Sequence, residues 1–130
     1  MNEKLKSHFL NLYCMVMADG VVSQKEKAEL YRIGEEFYNV KHEEFDRLLL
    51  SDDIPLYIPQ TNEEKILYLY DFALIAWADG AVVDEERQIM ERFAVRFGVQ
   101  PDAVKPLIDI LLEKAQQHLS HDELMKEFSE

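Results

Sequence analysis

The residues best placed to do chemistry are two short acidic loops. Asp19 and Gly20 are followed by Val22 and Glu26, and Asp79 and Gly80 by Val82 and Glu86, so the pattern D-G-x-V-x-x-x-E occurs twice. It coincides with the second half of an EF-hand calcium loop, in which a carboxylate, a glycine, a β-branched residue and a closing Glu recur in this order. The first half of that motif is missing. Its earlier ligand positions hold Met15 and Met17 in one loop, Ile75 and Trp77 in the other, and apolar side chains cannot coordinate a hard cation. A purely structural reading accounts for the same residues. Gly20 and Gly80 supply a positive φ at a helix end, Glu26 and Glu86 reach back to free amides at the start of the next helix, and Asp19 and Asp79 accept from loop amides. A second reading stays open beside it. If the two loops meet, Asp19, Glu26, Asp79 and Glu86 form one carboxylate quartet, whose repulsion only protons or a weakly bound divalent cation would relieve.

Other candidates are weaker. His118 and His121 lie three residues apart ahead of Asp122 and Glu123, which suits a transition metal only if both rings face one way; a solvated helix junction explains them more simply. His8 and His42 are isolated and carry no signal. Asp71 interrupts the apolar run Ile66 to Ala78 and aligns with Asn11. It reads as a buried, hydrogen-bonded structural acid, with a proton- or cation-sensing role as the functional alternative. No phosphate-binding glycine loop, nucleophile elbow or Cys–His signature is present, and no catalytic residue is assigned. The chain reads as a non-enzyme.

The elements that must position these groups are helices. Apolar residues recur at three- and four-residue spacing, with four Gly and four Pro in the whole chain, and this predicts an all-α fold of about seven helices. A first helix is expected from Glu3 to Asp19, and a second begins at the capping box Ser23/Glu26 and closes at Asn39. A third spans roughly Lys41 to Leu50. After the proline-containing segment Ser51 to Gln60, the box Thr61/Glu64 opens a fourth helix running to Asp79. A fifth covers Val83 to Phe97. A sixth starts at Pro101 with a kink or restart near Pro106, and Ser120/Glu123 cap a terminal helix.

Sliding the chain on itself by the interval from Ala18 to Ala78 reveals a repeat. Identities fall at Ala18/Ala78, Asp19/Asp79, Gly20/Gly80, Val22/Val82, Glu26/Glu86, Arg32/Arg92 and Phe37/Phe97. Two copies of helix, Asp-Gly turn and helix, about residues 5–50 and 61–112 of a single domain, are expected to pack as pseudo-symmetric halves.

The paired A-D-G-x-V-x-x-x-E loops, on a helical chain of this length, resemble the TerB-like family, named for tellurite-resistance proteins. The resemblance runs from about Leu5 to Leu112. It implies an all-α fold of two related halves, a role in bacterial stress response with metal-linked or membrane-complex associations, and Asp19, Glu26, Asp79 and Glu86 as the acidic motif residues. One departure is that Val83 stands where the first copy has the capping Ser23.

Composition bounds the partners. With 26 acidic and 14 basic side chains among 130 residues, the formal charge of −12 disfavours nucleic acid and anionic lipid, and favours cations or a protein partner with a basic surface. The single Cys14 requires no oxidising compartment. The apolar run is far shorter than the roughly 20 residues that span a bilayer, and the N-terminus carries no signal-peptide pattern. A cytoplasmic protein without direct membrane insertion is expected.

Overall fold

The computed structural model of the chain describes residues 3–17, 23–49 and 57–129, and among them there are seven helices and no strand. The helices are α1 (Glu3–Val16), α2 (Gln24–Tyr38), α3 (His42–Leu49), α4 (Asn62–Trp77), α5 (Asp84–Arg96), α6 (Pro101–Gln116) and α7 (His121–Ser129). The all-α class and the helix number expected from the sequence are observed. Asp19, Gly20 and Val22 lie outside the described residues, as do Ser51 to Leu56 of the proline-containing connection. No helix among the described residues is long and apolar enough to cross a membrane.

α4 is the centre. Every residue from Tyr68 to Ala76 is buried, because α1, α2, α5 and α6 all pack against it. Such a helix has no polar face to spare, which explains why its sequence reads as a continuous apolar run rather than a stripe. The surrounding helices each supply a stripe instead: Phe9, Leu12 and Val16 from α1, Leu30 and Ile33 from α2, Met90 and Phe93 from α5, Ile108, Leu111 and Ala115 from α6. Aromatic contacts knit these stripes together, with Phe72 stacked on Phe93 and Phe9 edge-on to Phe45.

The caps fix where the helices begin. Ser23 accepts from the Glu26 amide at 3.2 Å and Thr61 from the Glu64 amide at 3.1 Å. At Ser120 both halves of the expected box are made, the Glu123 amide to Ser120 Oγ at 3.2 Å and the Ser120 amide to Glu123 Oε1 at 3.0 Å. The Thr61 box is altered. Glu64 turns its carboxylate to Tyr57 Oη at 2.8 Å and to Lys4 Nζ, because these stronger donors stand beside it. The restart expected near Pro106 is not made, and α6 is one continuous helix from Pro101 to Gln116. Proline at this position removes the bond to the Asp102 carbonyl, and both residues are exposed on the solvent side of the first turns, where the lost bond costs least.

Two glycines in the helix–turn–helix units differ in whether the fold needs them. Gly80 has φ +89°, with nothing within 4 Å of the point where a Cβ would stand, so the turn requires backbone freedom and not space. Gly34 sits inside α2 where the second copy has Ala94, and a Cβ there meets the Phe9 ring at an ordinary 3.6 Å. Gly80→Val should therefore lower stability by more than about 1 kcal/mol through backbone strain, whereas Gly34→Ala should raise it by up to about 1 kcal/mol through helix propensity. Urea unfolding midpoints check both, and a change of the same sign in the two variants would contradict this distinction.

Candidate functional site

Three of the four acidic motif residues come together. Ser23, in extended conformation at the start of α2, places its hydroxyl oxygen 2.8 Å from both carboxylate oxygens of Asp79 in the other loop. The same oxygen accepts from the Glu26 amide, so the cap of α2 is also the bridge between the loops. Glu26 and Glu86 lie beneath, only 4% and 5% exposed. Each is the third residue of its helix, α2 or α5, and a residue there points back over the helix start, which is why both carboxylates turn inward to the loops.

Their hydrogen bonding is unequal. Glu86 Oε1 accepts from the Val83 amide at 3.1 Å, the reach-back expected of it, and it keeps this role although Val83 offers no hydroxyl in return. Among the described residues no amide or hydroxyl donor reaches the buried Glu26 Oε2, and the groups hydrogen-bonded to the Glu26 carboxyl are the carboxyls of Glu86 and Asp79. Burial, and then the neighbouring carboxyl groups of Glu86 and Asp79, push the Glu26 pKa up to about 9. A protonated Glu26 can donate to one of these neighbours, which is how a buried carboxylate pair is ordinarily relieved. Asp19, the fourth member of the quartet, lies outside the described residues.

Of the positions that depart from an EF-hand, Met17 is exposed and the other three are packed. Met15 and Ile75 are core residues, and Trp77 donates its indole N–H to the Leu112 carbonyl at 2.7 Å. Among the described residues no group of three or more metal-binding side chains is arranged to hold an ion; the loop carboxyls described are those of Asp79, Glu26 and Glu86. Their oxygens are hard donors of the kind that calcium or magnesium takes.

A second polar centre was only half legible in the sequence. Asp71 on α4 is wholly buried, as expected of a structural acid, and accepts three hydrogen bonds from three different helices. His8 Nε2 of α1 stands 2.8 Å and Tyr38 Oη of α2 2.5 Å from its Oδ2, while His121 Nε2 of α7 is 2.7 Å from its Oδ1. Burial pushes the Asp71 carboxyl upward, but the donors His121 and His8 outweigh it and hold the group below its ordinary range. His121 and His118 do not form a metal pair. His121 turns inward to Asp71 and stacks on Phe37, whereas His118 is exposed at φ 58° at the end of α6. His8 carried no signal on its own. Its place in the stripe Leu5, His8, Leu12, Met15 was the available clue, because a histidine at core spacing requires a partner.

No family model, no curated protein and no solved structure matches this chain.

The Glu26 environment sets a pH dependence. The unfolded chain releases this proton near 4.5 and the folded one near 9, so between these values the folded state binds more protons and loses stability as pH rises. The contribution is fully present below the unfolded value. Glu26→Gln should flatten the alkaline side of the stability profile, measured as urea midpoints at several pH values from 5 to 9. An unchanged profile would mean that Glu26 is not protonated in the folded protein.

Proposed function

We propose that this protein is a non-enzymatic, cation-responsive module in which the two Asp-Gly…Glu loops act as one site. The observation that carries this reading is the buried carboxyl of Glu26, set against the carboxyls of Glu86 and Asp79 from the other loop. Buried carboxyl groups in such a cluster cannot all be ionised without a counter-charge, and a divalent cation provides it as well as a proton does. Calcium takes about six to eight oxygen ligands. Each loop alone offers too few, so binding requires Glu26 and Glu86 together, with backbone carbonyls and water completing the shell.

Affinity is modest on this account. Glu86 is also needed by the Val83 amide, and Asp79 by Ser23, so coordination competes with hydrogen bonds that hold the turns. Such a site suits a sensor or a structural brace more than a tight store. The TerB-like resemblance of the loops, with its role in bacterial stress response, is part of the same proposal.

The net charge of −12 favours a second, compatible activity. An acidic surface of this kind recruits a protein partner with a basic face, and occupation of the loop site would tune that contact from within the helical frame.

Calorimetric titration with calcium, magnesium, manganese and zinc tests the site. Wild type should bind at least one of the hard cations with affinity weaker than about micromolar, and both Glu26→Gln and Glu86→Gln should lose that binding while keeping their folded stability. No binding in the wild type would leave the carboxylates as internal caps of an acidic interaction module. Submicromolar binding that survives both substitutions would place the site elsewhere.

A further inference from the structure

His8 is the most deeply buried titratable base among the described residues and has no part in the loop site. Its side chain is inaccessible to solvent. The ring lies flat on Tyr68, with centroids 3.8 Å apart and planes 11° from parallel, and meets Phe72 and Tyr38 edge-on. Its two nitrogens are in opposite situations. Nε2 faces Asp71 Oδ2 at 2.8 Å and donates to it, since a carboxylate can only accept. Nδ1 is buried with no partner at all.

This arrangement fits one protonation state. In the neutral Nε2–H tautomer the bare lone pair of Nδ1 sits among aromatic rings at moderate cost. In the imidazolium Nδ1 becomes an N–H with no acceptor, carrying positive charge into the core. We propose that His8 makes the α1–α4 interface an acid-operated joint, closed by the neutral imidazole and parted when the ring takes up a second proton.

Polar groups face His8 from each packed element. α4 presents Asp71, Tyr68 and Glu64, α2 presents Tyr38, and α7 presents His121. Asp71 is the attraction that opposes release, but its two oxygens are already shared with Tyr38 and His121. His121 adds a repulsion. Burial prevails over Asp71 and holds the His8 pKa below its ordinary 6.5. With the docked ring more reluctant to take a proton than the free one, the interface is at full strength above pH 6.5 and loses strength as pH falls below it. Asp71 itself releases its proton below its ordinary 3.8, so above that value its charge is constant.

Hydrogen exchange of the intact chain between pH 7.5 and 5 tests the joint, with rates corrected for intrinsic chemistry. Exchange in α1 should accelerate relative to α6 by up to about tenfold per pH unit below the free imidazole value. The emission of Trp77, held between α4 and α6 by its bond to Leu112, should stay constant. In His8→Gln, whose amide donates to Asp71 without titrating, the acid acceleration should vanish, and in His121→Gln it should persist. Equal acceleration of α1 and α6, no acceleration, or acceleration that survives in His8→Gln would overturn the proposal. Nitrogen NMR of labelled histidines in the wild type gives a reading independent of any variant: an Nε2–H tautomer with a midpoint below 6.5 agrees, and an Nδ1–H tautomer or a higher midpoint refutes it.

Discussion

The fold depends on the cost of placing a charged carboxylate in the middle of a helix that is buried on all sides. α4 gives up its polar face to touch four other helices, yet it retains Asp71 at the centre of that contact. An unpaired carboxylate there would be severely destabilising. The cost is offset by donors from three directions, His8, Tyr38 and His121, so α1, α2 and α7 are each held to α4 by a bond that has only one correct geometry. Apolar packing alone would tolerate sliding of these helices; a triple-acceptor carboxylate does not. Removal of any one donor leaves the others to carry a charge they only partly neutralise.

The loop carboxylates obey the same rule with a different outcome. At Asp71 the acceptors are matched by donors and the group stays ionised below its ordinary range. At Glu26 no amide or hydroxyl among the described residues reaches Oε2, two further carboxyl groups stand alongside, and the group keeps its proton far above its ordinary value. One centre is finished and the other is incomplete. That contrast, more than the acidity of the motif, is the ground for the proposal that the loops take a ligand, since acidic caps that were fully satisfied would need nothing further.

Much of this was legible in the sequence because it is local. Helix periodicity, Ser and Thr caps, the glycine turns and the repeat offset all act over a few residues, and α2 and α5 begin at Gln24 and Asp84, as the offset requires. The repeat also placed Glu26 and Glu86 at equivalent positions, which made their meeting a question that could be asked. What escaped was long-range. Asp71 announced itself as a polar residue in an apolar run, but nothing in the spacing tied it to His8, which is far away in the chain, and the solvated junction expected at His118 and His121 holds for His118 alone, because His121 turns inward to Asp71. Glu64 showed the same limit: a local capping rule yielded to Tyr57 and Lys4, whose positions only the tertiary structure sets.

The central claim is that Glu26 and Glu86 belong to one site although they arise in different copies of the repeat. A double-mutant cycle of Glu26→Gln and Glu86→Gln, read as unfolding free energies near pH 8 without divalent cations, tests it most directly. The account predicts that the two substitutions are strongly non-additive, with a coupling that changes when calcium is added. Additivity within about 0.5 kcal/mol under both conditions, as for distant independent positions, would contradict it.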